Sequence, residues 1–246
     1  MKILITGAGG FIGRNLVEVL EKDKGYTLFK FNSADNPRLL NDYTAGCEFL
    51  FHLAAVHRPA DEAEFDRVNR QFLAGVLDHL RKQDNGCPIL LASSIQAVDD
   101  SPYGRSKRAA EKLVREHAEK SGSRAIIYRL TNTFGRYARP NSHSVVATFC
   151  YNIARDLPIV ISDPDREMHL YYIDDVIESF LLHLHGSVEP DPDGFYRLPE
   201  VLEYRVTLGE LAEMLYSFRE RIRSGEEFTP RDEFAAKLYQ TFRSYF

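Results

Sequence analysis

Much of what this chain lacks bears on where it does not act. It contains no run of about 18 apolar residues, and so no candidate membrane-spanning helix. Its opening residues, MKILITGAGG, lack the long apolar stretch of a secretory leader and read as a short strand meeting a glycine turn. There is no basic excess: a formal charge of −5 over 246 residues gives no reason to expect nucleic acid as a partner. The three cysteines, Cys47, Cys87 and Cys150, are far apart and form no CxxC pair. Such sparse usage suits reduced thiols in the cytoplasm, packed as small apolar residues. No metal site is expected either, because His183 and His185 stand two apart and would leave a helix on different faces. Internal repeats and low-complexity tracts are absent.

What remains is the composition of a soluble globular protein, 44% hydrophobic and 27% charged. The length suits one large domain, or a domain with a small appendage. The first half alternates short apolar runs with amphipathic stretches. Strands are expected at Lys2–Thr6, Tyr26–Phe31, Phe49–Leu53, Pro88–Ala92 and Ala125–Leu130, and helices at Phe11–Leu20, Glu64–Arg81 and Lys107–Lys120. Alternation of this kind predicts parallel pairing with right-handed crossovers, hence an α/β fold with a Rossmann-type doubly wound parallel sheet. The second half is less regular. A helix is expected over Ser142–Arg155 and short strands at Leu157–Ile161 and His169–Ile173. A helix over Asp174–His185 would be capped by Asp174 or Asp175, and one over Thr207–Phe218 carries a capping box of Thr207 and Glu210. Gly186–Pro199 reads as a loop and charge-dense Arg219–Glu233 as an exposed connector. A last helix presents Phe234, Leu238 and Phe242. The expected division is a dinucleotide-binding core over 1–165, with a return strand and helix over 166–185, and a small C-terminal substrate-binding region over 186–246.

Two constellations carry chemistry. The first is Thr6-Gly7-Ala8-Gly9-Gly10-Phe11-Ile12-Gly13, directly after a strand and opening a helix. Gly7 permits a tight turn, Gly10 lets backbone approach a pyrophosphate, and Gly13 permits close helix–strand packing. The helix N-terminus at Phe11 and Ile12 offers free N–H groups and a partial positive charge to phosphates. At the end of the second strand, where a carboxylate would select NAD, stand Asn32 and Ser33, with Asp35 slightly beyond. Neutral donors there tolerate a 2′-phosphate, which favours NADPH, with NADH as the alternative.

The second constellation is Tyr103-Gly104-Arg105-Ser106-Lys107, a YxxxK pattern that places a phenol and an ammonium on one helix face. A free phenol ionises at about pH 10, and a neighbouring ammonium and a nicotinamide cation would both favour its phenolate. Tyr103 is therefore expected to serve as the acid that protonates a carbonyl oxygen as hydride arrives. Ser94, at a strand end, is placed to hold the same oxygen. Glycine loop, Ser93-Ser94 and YxxxK follow in the order that brings them to the carboxyl ends of a parallel sheet, where ligands bind.

These stretches resemble the extended short-chain dehydrogenase/reductases, the nucleotide-sugar epimerase/dehydratases. TGAGGFIG, His52-Leu53-Ala54-Ala55, Asn69, Ser93-Ser94, YGRSK, Arg129–Gly135 and Tyr172–Val176 all match that family's pattern. HLAAVHRPADEAEF, SSIQAVDDSPYGRSK and LYQTFRSYF are similar to the reductase half of the bacterial capsule and O-antigen enzymes of the CapF type. The resemblance implies NADPH-dependent reduction at C4 of a UDP-4-keto-6-deoxy-N-acetylhexosamine. Its product would be UDP-2-acetamido-2,6-dideoxy-L-talose, a precursor of N-acetyl-L-fucosamine. It also implies a C-terminal cupin domain that epimerises C3 first, so that this chain, ending on Tyr245-Phe246, is a truncated piece or a stand-alone reductase. A homodimer through Glu64–Arg81 and Lys107–Lys120 is the expected assembly. Family pattern places Leu53, Ala54, Ala55, Tyr103, Lys107 and Leu130 near the cofactor. It makes Arg58, Asn132, Asn141, His143 and Ser144 candidates for the sugar or its diphosphate. The competing readings are a 4-epimerase or dehydratase that recycles bound NAD, and a non-catalytic Rossmann regulator. Ile95-Gln96 after Ser94, in place of an Asp-Glu pair, speaks against a dehydratase.

Overall fold

A computed structural model describes residues 1–142, 144–186 and 188–246. The chain divides into two compact units, Met1–Leu130 with Ser179–Arg197, and Thr131–Glu178 with Leu198–Phe246.

The first unit is a five-stranded, wholly parallel sheet of strands β1 (Lys2–Thr6), β2 (Thr27–Phe31), β3 (Phe49–His52), β4 (Ile89–Ser94) and β5 (Ala125–Leu130), in the order β2-β1-β3-β4-β5. Its strands read as near-continuous apolar runs because both faces are covered; Ile3, Leu4, Ile5, Leu50 and Leu90 are fully buried. Crossovers are made by α1 (Phe11–Leu20), α2 (Leu39–Gly46), α3 (Phe72–Lys82) and α4 (Pro102–Ser121). The chain builds outward from β1 to β2, then reverses to lay β3 on the other side of β1. The crevice at that reversal, outside the carboxyl ends of β1 and β3, is the place where such sheets bind ligands. The register brings Thr6, Phe31 and His52 to one level at those ends, and Ser94 opposite Leu130.

Several expectations need correction. The long helix expected from Glu64 enters as a π-helical segment, Phe65–Gln71, before regular α3. As the YxxxK pattern opening a helix implies, α4 begins at Pro102, just before Tyr103: Ser101 caps it through Gly104 N–H (3.0 Å) and Pro102 fills its first turn. Helix α2, with a weak apolar stripe, lies in the connection between β2 and β3.

The second unit holds a three-stranded sheet, β6 (Asn132–Phe134), β7 (Glu167–Tyr172) and β8 (Tyr204–Thr207), with β6 parallel and β8 antiparallel to β7. Helices α5 (Val145–Ala154), α7 (Leu208–Ser224) and α8 (Glu233–Arg243) complete it. Helix α6 (Ile173–His185) runs across the division between the two units. Leu157–Ile161 is not a strand: Leu157 and Val160 are exposed, and this stretch joins neither sheet. Asp174 and Asp175 lie within the first turn of α6 rather than at its cap. The capping box of Thr207 and Glu210 is present. It starts a helix that runs to Ser224, six residues into the expected connector, where Arg219 and Arg223 pair with Asp156 (2.9 and 2.5 Å). Among the described residues no helix is long and apolar enough to cross a membrane.

Candidate active site

The glycine turn follows directly from β1. Gly7 takes φ +72°, and a Cβ there would lie 2.7 Å from the backbone of Ala54, so only glycine lets the turn close against the end of β3. A Cβ on Gly13 would lie 2.2 Å from the Gly7 carbonyl oxygen, which explains why α1 packs this close to the turn. Gly10 is extended at the N-cap of α1. That helix end has no side-chain cap and no acidic residue in its first turn. Its N–H groups at Phe11 and Ile12 and its dipole thus face an exposed turn, a donor set that fits the diphosphate of a dinucleotide. Leu53 N–H bonds the Thr6 carbonyl (3.0 Å), bringing Leu53, Ala54 and Ala55 beside the same turn.

Asn32 stands at the end of β2 beside the glycine turn. Its Oδ1 accepts from Gly9 N–H (2.6 Å), bracing the glycine turn. Asp35 is folded back: its Oδ2 accepts from the backbone N–H (2.6 Å) and side-chain amide (3.3 Å) of Asn32.

Tyr103 and Lys107 leave α4 one turn apart, facing the carboxyl end of β4. The Tyr103 ring lies against His57 (centroids 4.2 Å) and Phe65 (5.9 Å). Asn69 fixes this arrangement. It pairs with the backbone of Val56 (2.8 and 3.0 Å) and donates to Ser106 Oγ (2.9 Å), which in turn donates to the Tyr103 carbonyl (2.7 Å). Burial pushes the Tyr103 phenol up to about 12, partly offset by a hydrogen bond with Ser94. In this geometry Lys107 Nζ is drawn to the Ala92 carbonyl (2.6 Å), and burial sets the direction of the phenol's shift. Lys107 is itself only 3% exposed, and burial pushes it down to about 8 against the opposing pull of Glu111. Buried His52, hydrogen-bonded to Thr6 Oγ1 (2.9 Å), is held neutral at about 3, chiefly by desolvation and secondarily by Lys107. The result is a neutral phenol with a serine hydroxyl beside it: an arrangement that can give up a proton and stabilise an oxyanion.

The remaining candidates are scattered. Arg58 is exposed, on the loop that carries His57, and Leu130 is buried at the end of β5. In the second unit, Asn132 begins β6 with its amide 3.5 Å from the His169 carbonyl. Asn141 holds φ +54° with its N–H on Thr148 Oγ1 (2.9 Å). Ser144 is the N-cap of α5, accepting from Ala147 N–H (3.2 Å). His143 lies outside the described residues. Sequence reasoning missed His57, Phe65 and Glu111 as neighbours of the catalytic pair. Only Glu111 left a signal, its four-residue step from Lys107.

A family model described as the NAD dependent epimerase/dehydratase family matches residues 3–195. The chain belongs to that family. Among relatives of the family, the UDP-2-acetamido-2,6-beta-L-arabino-hexul-4-ose reductase of Pseudomonas aeruginosa is 38% identical over 245 residues, covering all of this chain and 65% of the relative. The crystal structure of the capsular polysaccharide assembling protein CapF from Staphylococcus aureus is 38% identical, with TM-score 0.88 over all of this chain and 66% of that one. The chain thus spans about two-thirds of the length of these relatives. The UDP-glucuronic acid 4-epimerase of Bacillus cereus, solved with NAD, shares the fold at 17% identity, with TM-score 0.81 over all of this chain and 98% of that one.

Proposed function

We propose that this family member is an NADPH-dependent reductase of the C4 ketone of a UDP-4-keto-6-deoxy-N-acetylhexosamine, giving UDP-2-acetamido-2,6-dideoxy-L-talose for capsule or O-antigen synthesis in the cytoplasm. The observation that carries the reading is the neutral, half-buried Tyr103 phenol on α4 beside Ser94, at the sheet's carboxyl end. The likeness to a named reductase over the whole of this chain supports it. A bound nicotinamide dinucleotide supplies hydride. Ser94 holds the ketone oxygen by hydrogen bond, and Tyr103 transfers its proton to that oxygen as negative charge develops there. Lys107 stabilises the tyrosinate left behind, swinging from the Ala92 carbonyl toward the phenol. A phenol held near 12 is neutral at physiological pH, the form that a reductase acid requires.

The glycine turn, Asn32, Leu53, Ala54, Ala55 and Leu130 are assigned to the cofactor, and Arg58, Asn132, Asn141, His143 and Ser144 to the nucleotide sugar. NADPH is favoured because the Asp35 carboxylate is engaged by Asn32 rather than presented to a ribose hydroxyl. The proposed division is a dinucleotide-binding core, 1–165 with the return strand and helix, and a substrate-binding region, 186–246. The proposed partners are a C-terminal cupin domain that delivers the C3-epimerised ketone, and a second copy of this chain docked along α3 and α4. Mixing the protein with NADPH and the 4-keto sugar tests the reading. One NADPH consumed per sugar reduced is expected, and turnover without net cofactor consumption overturns it in favour of an epimerase.

A further inference from the structure

We infer that Glu111 is a positioning residue for the catalytic pair: one turn beyond Lys107 on α4, its buried carboxylate holds Lys107 as an ammonium and ties the β4 end that carries Ser94. The inference rests on the reductase reading above and deepens it. Glu111 is only 3% exposed. It accepts from Ser93 Oγ (2.6 Å) and from Arg129 Nε (3.0 Å) and Nη2 (2.7 Å), a two-pronged pair that fixes its orientation. Arg129 in turn lies 3.6 Å over the Phe195 ring, with Arg115 at 4.4 Å from the same ring.

A carboxylate serving only to anchor strands would need no ammonium behind it. Lys107 shares its helix face, is almost wholly buried, and has the Ala92 carbonyl as its hydrogen-bond acceptor. The groups facing Lys107 are His52 from β3, Tyr103 and Glu111 from α4, and the Ala92 carbonyl of β4; Arg129 from β5 reaches it through Glu111. His52 is neutral and Tyr103 is protonated, so Glu111 is the one negative charge in this set. It opposes the desolvation that lowers Lys107, while Arg129 neutralises part of its field. The same carboxylate grips Ser93, the residue before Ser94, and thereby sets where the oxyanion donor stands relative to the phenol. Ser93 and Arg129 are themselves paired in the β4–β5 register.

Two substitutions of opposite sign test this. In Glu111→Gln the counter-charge is lost, so Lys107 deprotonates at lower pH. The alkaline limb of kcat is expected to move down by about one pH unit, with kcat at pH 8 falling roughly fivefold and kcat at pH 6 changed little. In Arg129→Gln the carboxylate is left unneutralised and the limb moves up. Glu111→Asp, which keeps the charge, retains a limb near that of the parent protein. A strand anchor alone would lower kcat equally at every pH, or lower Tm with an unmoved profile, and either result overturns the inference. The Cε chemical shift of Lys107 in 13C-lysine-labelled protein, followed against pH, gives the same readout without turnover. Opposite displacements of its titration in the two variants uphold the inference even if the parent protein reduces no ketone, in which case it is the reductase reading that falls. An unmoved titration overturns the inference whatever the activity.

Discussion

Replacing Lys107 with methionine should stabilise this protein while abolishing the proposed ketone reduction. The side chain is 3% exposed, and burial lowers its ammonium from 10.5 to about 8. At about 1.4 kcal/mol for each tenfold change in an ionisation equilibrium, that gap is about 3 kcal/mol of folding free energy spent on keeping the lysine charged. Methionine has similar length and no charge to desolvate, but it leaves the Ala92 carbonyl without its 2.6 Å donor, a loss of about 1 kcal/mol. The net expectation is a gain of about 2 kcal/mol at pH 7, or roughly 4–8 °C in Tm for a chain of this size. The pH dependence fixes the sign. The folded-state value lies below the unfolded one, so the penalty in the parent protein is complete below about 8, where both states are charged. It fades as pH rises toward 10.5, where both are neutral. The stability difference between the two proteins, from urea denaturation at a series of pH values, should therefore be largest at pH 7 and close by about pH 10. A variant less stable than the parent at pH 7, or a difference that does not change with pH, would refute the claim that Lys107 is held charged at a cost.

Two further substitutions bear on the parts around it. Tyr103→Phe removes the acid but keeps the ring against His57 and Phe65, so kcat should fall by about 10²- to 10⁴-fold with cofactor affinity, measured by calorimetry, nearly unchanged. Gly13→Ala places a methyl group 2.2 Å from the Gly7 carbonyl oxygen, and the glycine turn must shift. NADPH binding followed by fluorescence should weaken at least tenfold, with a Tm lowered by several degrees; parental affinity would contradict the turn's assigned role.

The glycine turn and the shared helix face of Tyr103 and Lys107 were legible in the sequence because their signals are local. Strand β1, the turn Gly7–Gly13 and α1 follow one another without a gap, and the four-residue step from Tyr103 to Lys107 holds wherever a helix forms. The apolar runs of β3, β4 and β5 announce a sheet buried on both faces. What escaped was set by distant partners. Strand β6 has three residues and exists through its register with β7, from Asn132↔Leu170 to Phe134↔Tyr172. Strand β8 pairs with β7 across more than thirty positions, a span no local pattern reports. Leu157–Ile161 has a strand-like composition but no strand beside it, so Leu157 and Val160 remain exposed. The arginines after Phe218 looked like a solvated connector until Asp156 supplied partners for Arg219 and Arg223. Within the site, the sequence does not report the packing of His57 and Phe65 against Tyr103, where burial raises the phenol. That burial depends on residues some forty positions away in the chain.

The central claim is that this site delivers hydride to C4 of a keto sugar and a proton to its oxygen. Reaction with NADPH deuterated at the nicotinamide C4 position, read by NMR of the isolated product, tests it most directly. The account predicts one stereochemically pure deuterium at C4 of the 2-acetamido-2,6-dideoxy sugar, with one NADPH consumed for each sugar. A sugar that emerges unlabelled, with the cofactor intact, would contradict it.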